Sequence, residues 1–293
     1  MRVTEALIRE AMVRRVALAQ SRLFDLEEQT ASGRRVVSPE DDATATAIAR
    51  RLDAALADLA SYDAPSRMAT NRLETADGTL HLVFEELLRV QEVAMVMSNG
   101  TSSDEDRVLA ADQVEEIRAT IVTLGNTTHE GAYLFGGLTT DVAPFLPDGT
   151  WVGNPDVPQV EISPGVRIDA APDGEEVFTA AGGIDVMGVV TRVRDALAAC
   201  DEDLVADLLS QVDVALEQIS SARARLGPAI NRIAAAGELR DNFRVQLTGQ
   251  RSDEIDADLP ETLSSLTLAS QSLEAALTVT ARSLDLTLLD KLR

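Results

Sequence analysis

Residues able to do chemistry are few in this chain and poorly spaced for it. There are two histidines, His81 and His129, and one cysteine, Cys200. A catalytic zinc site on a helix needs ligands at short repeat spacing, and His129-Glu130 lacks the second histidine of that pattern, so no metal is expected. A single cysteine allows neither an internal disulfide nor a redox pair, and Cys200 reads as a small packing residue. Gly136-Gly137 lacks the Lys-Ser/Thr and the preceding strand of a phosphate loop and reads as a turn. Asp41-Asp42 could be a carboxylate pair for acid-base work, but both fall at a helix start, where the positive end of the helix dipole accounts for them. Asn99-Gly100-Thr101 and Asn126-Thr127-Thr128 match the glycosylation acceptor pattern, which is too short to signify without a secretory signal. The expectation is a protein with no catalytic residue, no cofactor and no metal, hence no enzyme.

Function must then lie in surfaces. With 26 basic against 49 acidic residues the formal charge is −23, which opposes binding to nucleic acid or to an anionic membrane. Hydrophobic residues make up 45% and aromatic residues only 3%, so the apolar material is mostly Ala, Leu, Val and Ile, suited to long packed helices rather than a ligand pocket. No run approaches the ~20 apolar residues of a membrane span. Charges at Arg9, Glu10, Arg14 and Arg15 interrupt the amino-terminal segment, so no cleaved secretory signal is expected.

Two stretches at opposite ends carry single apolar seams at steps of three and four. Near the amino end these are Ile8, Met12, Val16, Ala19, Leu23, Leu26 and Thr30; in Leu259–Leu292 they are Leu263, Leu266, Ser270, Leu273, Leu277, Thr280 and Leu284. Such spacing keeps a narrow face toward a partner helix, and the two seams are expected to pair as a coiled coil. Gly33 should cap the first helix. Ser38-Pro39-Glu40-Asp41-Asp42 reads as the next helix start, with Ser38 as cap. Helical pattern follows to Met97 with a break near Pro65, then from a capping box at Ser102 and Glu105 to about Asn126. Proline and glycine crowd residues 138–183, where strands are expected at 150–152, 159–163, 166–170 and 176–178. Helix resumes at about 185–199 and again from Asp201. Pro228 should kink or restart that last helix, a polar joint is expected over Leu247–Asp258, and Asp258 or a near neighbour, with Pro260, opens the final helix. The fold expected is mainly α: residues 1–33 with 259–293 as a terminal coiled coil, 34–137 with 184–258 as an elongated helical bundle, and 138–183 as a small β-rich insert.

As an ordered set, several motifs resemble the flagellin family. Ser32-Gly33-Arg34-Arg35 followed by Asp41-Asp42 is similar to its Ser-Gly-basic then Asp-Asp signature, although the asparagine usual after the basic-hydrophobic pair is absent, with Val37 in its region. Further matches are Asn99-Gly100, Leu226-Gly227 and Asn231-Arg232; Pro228 departs from the small residue usual there. Tyr133-Leu134-Phe135-Gly136-Gly137 and the short insert resemble, within the family, the hook-associated proteins of the hook-filament junction. The resemblance implies a structural subunit that self-assembles into a ring. It implies export through the flagellar type III apparatus with the help of a chaperone, and an extracellular place between a hook-side hook-associated protein and filament flagellin. The alternatives weighed are filament flagellin itself and a cytoplasmic helical signalling or adaptor protein.

Overall fold

Alternation of small and branched aliphatic residues at three-four spacing is what builds this chain into long helices. The computed structural model describes residues 2–100 and 102–289, with side chains for residues 7, 10–100 and 102–282. In chain order the elements are α1 (Arg2–Ser32), α2 (Ala43–Ser61), α3 (Asp63–Met97), α4 (Asp104–Gly125), β1 (Thr128–His129), β2 (Ala132–Tyr133), β3 (Gln159–Ser163) and β4 (Val166–Asp169). They continue with α5 (Gly174–Phe178), a 3-10 turn (Ala180–Gly182), α6 (Val186–Ala198), α7 (Glu202–Ile255) and α8 (Leu259–Leu289). The fold is mainly α, as expected.

The chain divides into two compact units, one of residues 1–58 and 243–293, the other of residues 59–242. This differs from the three-part division expected. Residues 34–58 and 243–258 group with the terminal helices, because Val36, Ala45, Ala49 and Ile255 form their own small core there and Arg251 Nε lies 2.6 Å from Asp53 Oδ1. Residues 138–183 have no core of their own. Phe145, Ile162, Ile168, Val177 and Phe178 belong to the same continuous cluster as the helices of residues 59–242.

Within that second unit, α3 buries Leu73, Ala76, Leu80, Val83, Leu87, Val90 and Ala94, a three-four stripe facing matching stripes of α4, α6 and α7 such as Val114, Ile117 and Ile121; Val186, Val189, Val190, Val193 and Leu197; and Val205, Val212, Ile219 and Leu226. Ion pairs with partly exposed carboxylates tie the helices: Arg107 Nη2 of α4 lies 2.6 Å from Glu202 Oε2 of α7, and Glu115 of α4 receives Arg194 of α6 at 2.8 Å as well as Arg118 of its own helix at 2.6 Å. The guanidinium of Arg118, hydrogen-bonded to it, holds the Glu115 carboxyl down to about 2.

Several element boundaries differ from expectation. α7 runs unbroken with Pro228 inside it, so the joint before α8 shrinks to residues 256–258. The capping box uses Ser103 and Asp106, one residue beyond the pair expected. Residues 176–178 lie in a helix instead of a strand, because Asp173 Oδ1 accepts from Glu175 N and Glu176 N and starts α5. Residues 150–152 contribute only an isolated bridge, Trp151 to Phe145, while β3 and β4 form an antiparallel hairpin in register Val160 with Ile168. The hairpin β1–β2 was not anticipated; Glu130 and Gly131, at φ 51° and 82°, make its two-residue turn.

Candidate assembly surface

α1 ends where Gly33 takes φ 68°, the left-handed conformation that closes a helix at low cost in glycine. The chain then lies antiparallel to the segment entering α8: Ala257 N donates to Gly33 O at 2.9 Å and Arg35 N to Ile255 O at 2.8 Å. Asp258 Oδ1 accepts from Glu261 N at 3.2 Å and caps α8. α1 and α8 therefore run antiparallel, packed along their lengths.

Burial marks which face of each helix meets the other. On α1 the half-buried positions are Met12, Val16, Ala19, Leu23, Leu26 and Thr30, with Gln29 beside them; on α8 they are Leu266, Leu273, Ala276 and Thr280, with Ser265 beside them and with Thr262 and Ala269 buried. Counted outward from the joint, both seams step by four, three, four, three, four. Matched intervals let an antiparallel pair keep one seam in contact along its length. The α8 face thus includes Leu266 and Leu273 but not Leu263 or Leu277, which are each 50% exposed, nor the exposed Ser270. The physical reason is size: Thr262, Ala269 and Ala276 let α8 approach α1 closely, and the bulkier leucines one position further on turn outward. Ile8 and Leu284 lie outside the residues whose side chains are described.

What remains on this pair is a set of large apolar side chains in water. On α1 these are Leu7, Val13, Leu18 and Phe24; on α8, Leu259, Leu263, Leu268, Leu277 and Val279. Leu7 and Leu18 are eleven residues apart, as are Val13 and Phe24, and Leu268 and Val279. Eleven residues is about three helical turns, so each pair shares one stripe away from the α1–α8 seam. Leu7 and Leu18 flank a shallow crevice of about 320 Å³ with Ala11, Arg14 and Arg15, and Leu268 flanks another of about 250 Å³ with Ala19 and Arg22.

The Ser32–Asp42 motif builds the turn beneath the pair. Asp41 Oδ2 accepts from Ser38 N at 2.7 Å and Val37 N at 3.0 Å, and Asp42 Oδ1 accepts from Ala45 N at 2.9 Å and Thr44 N at 3.0 Å. The cap of α2 is thus Asp42, not Ser38. These backbone donors, Ser38 N–H first for Asp41 and Ala45 N–H first for Asp42, hold both carboxyls below the usual carboxylate range. Arg35 adds an ion pair with Asp42 at 3.6 Å.

The other motif residues lie in the second unit and serve its fold. Asn99 Nδ2 donates to Met95 O at 3.1 Å and closes α3 beside Gly100. Tyr133 ends β2, Leu134 and Phe135 are fully buried, and Gly136-Gly137 turn tightly: a Cβ on Gly137, at φ 65°, would stand 1.9 Å from Asn154 O. Phe178 stacks edge-on against Phe135 and Phe145 with ring centres 5.2 and 5.0 Å away. Leu226 is buried on α7, while Gly227, Asn231 and Arg232 are exposed on it. The sequence offered no signal for Gln218, a buried amide on α7 whose Nε2 donates among the carbonyls of Val177, Ile184, Thr179 and Glu176 and whose Oε1 accepts from Ile184 N at 2.9 Å. Buried Arg240, donating to Ile162 O, was equally silent.

His81 faces Glu85 at 3.6 Å, His129 meets Thr75 Oγ1 at 3.2 Å, and Cys200 is half-buried in a left-handed conformation at φ 57°. Among the described residues no three His, Cys, Asp or Glu side chains gather as metal ligands, and no helix is long and apolar enough to cross a membrane.

Residues 4–140 match the bacterial flagellin N-terminal helical region. The chain is 26% identical over 300 residues to flagellar hook-associated protein 3 of Escherichia coli, covering 94% of this chain and 95% of that one. It is 25% identical over 242 residues to a flagellin of Listeria innocua, covering 82% and 81%. Among solved structures it is similar to the FlgL crystal structure from Xanthomonas campestris, at a TM-score of 0.62 and 18% identity, over 69% of this chain and 99% of that one; this supports the fold. With paired terminal helices and the Gly33–Asp42 turn, the chain is similar across its amino-terminal half to the bacterial flagellin N-terminal helical region.

Proposed function

We propose that this chain is a structural subunit of the bacterial flagellum that joins hook to filament, acting by association of helical surfaces and by no reaction. The observation that carries the reading is the α1–α8 pair, which uses a seam rich in small residues internally and leaves Leu263, Leu268 and Leu277 of α8 and Leu7, Leu18 and Phe24 of α1 outside it. Burying the half-exposed remainder of one such side chain in a neighbour contributes roughly 1–2 kcal/mol, so a ring of copies gains from several per subunit. The partners in this reading are further copies of itself, a hook-side hook-associated protein and filament flagellin. Before assembly the exposed stripes call for an export chaperone, and the chain leaves through the flagellar type III apparatus to act outside the cell.

Likeness to a flagellin across 82% of the chain favours a second reading, the filament subunit itself. Deleting the gene separates the two: hooks that remain while flagellin is shed into the medium mark the junction subunit, and loss of the bulk filament protein marks flagellin. Absence of the chain from sheared flagella would refute both.

A further inference from the structure

Charge is divided very unequally between the two compact units. Residues 59–242 contain 31 acidic and 12 basic residues, a formal −19, whereas residues 1–58 and 243–293 contain 18 and 14, a formal −4. The arginines of the acidic unit are largely committed to carboxylates of the same unit: Arg107 to Asp104 and Glu202, Arg118 and Arg194 to Glu115, Arg223 to Asp77, Arg225 to Glu176. They are spent internally and are poorly placed to meet the acids of a neighbour. Two copies set side by side thus bring two surfaces of one sign together through residues 59–242, while the near-neutral unit carries the exposed leucines of α1 and α8.

We infer that the surface of residues 59–242 acts as an electrostatic brake on packing against a second copy, released by ionic strength, while association through residues 1–58 and 243–293 is indifferent to salt. This rests on the self-associating subunit proposed above and adds which surface opposes assembly and by what force. Exposed charges act over about 30 Å at 0.01 M salt and about 8 Å at 0.15 M. The brake therefore holds the chain apart in dilute salt and lifts in the physiological range, where apolar contacts then decide.

Sedimentation velocity on the full chain, at fixed protein concentration in NaCl from about 0.02 to about 0.2 M, tests this, with an association constant expected to rise at least about tenfold. A variant with Glu92→Gln, Asp112→Asn, Glu116→Gln and Glu217→Gln, all exposed acids of the second unit, should associate more readily in low salt with a flatter salt slope. A matched variant in the other unit, Asp25→Asn, Glu27→Gln, Glu28→Gln and Glu274→Gln, should keep the native slope. Circular dichroism melts confirm that each variant is folded. Association with no salt slope, or equal effects of the two variants, overturns the inference and leaves the subunit reading standing. No association at any salt overturns both.

Discussion

Gln218→Leu should detach residues 176–184 from α7 without disturbing the helices beneath. In the native chain the Gln218 amide is 8% exposed and shares its two hydrogens among four carbonyls, closest to Val177 O at 3.0 Å and Ile184 O at 3.1 Å, while its oxygen accepts from Ile184 N at 2.9 Å. Leucine has nearly the same volume, so no cavity opens; the loss is of hydrogen bonds alone. The Ile184 N–H and at least one carbonyl are left without partners in a dry place, at about 1–3 kcal/mol each, for a total of about 2–6 kcal/mol. Gln218→Glu, which aims a carboxylate at the same carbonyls, should cost more than leucine at pH 7. Urea unfolding followed by circular dichroism measures the loss, and hydrogen exchange of residues 176–184 locates it. A loss below about 1 kcal/mol with unchanged exchange in that segment would refute the reasoning, because it would mean the four carbonyls find other donors.

Gly137→Ala places a Cβ 1.9 Å from Asn154 O on a backbone at φ 65°, so the Phe135–Asn154 turn must shift; a drop in melting temperature larger than for Gly33→Ala, where the left-handed glycine faces open space, is expected in thermal melts. Glu115, its carboxyl held near 2 by Arg118, contributes stability that is present above its usual value of about 4.5 and is lost as pH falls toward 2. Glu115→Gln should flatten the stability-pH curve of the second unit in that window, read by urea midpoints at pH 5 and 3. Leu273→Asp, on the α1–α8 seam, should unpair the terminal helices, raising hydrogen exchange over residues 12–30 relative to the native chain.

The long helices were readable because one periodicity repeats in them for many turns, and Gly33 and Asp258 end and begin their helices in the way their side chains allow. What the sequence left ambiguous was choice among neighbouring alternatives. On α8 two three-four patterns overlap, sharing Leu266, Leu273 and Thr280. Weight of hydrophobicity favours the one with Leu263 and Leu277, but close packing favours the one with Thr262, Ala269 and Ala276. Only the three-dimensional partner decides between them, since α1 meets the small residues. At the α2 start, Ser38, Asp41 and Asp42 could each cap a helix, and Asp42 wins because Asp41 is drawn back to the Val37 and Ser38 amides. Residues 138–183 mislead by composition: prolines and glycines exclude long helices but leave open whether the rest forms strands, and Asp173 turns 174–178 into a helix. Gln218 and Arg240 are polar residues in a helical pattern, indistinguishable in sequence from solvent-facing ones.

We propose that the leucines turned away from the α1–α8 seam form the assembly surface. The direct measurement is filament completion, seen by electron microscopy and swarming, in a deletion strain carrying Leu263→Asp with Leu277→Asp. These positions are half-exposed and outside the internal seam, so the chain should fold with a native melting temperature and be found outside the cell, yet build few or no filaments. Normal filaments carrying the doubly substituted chain would contradict the account.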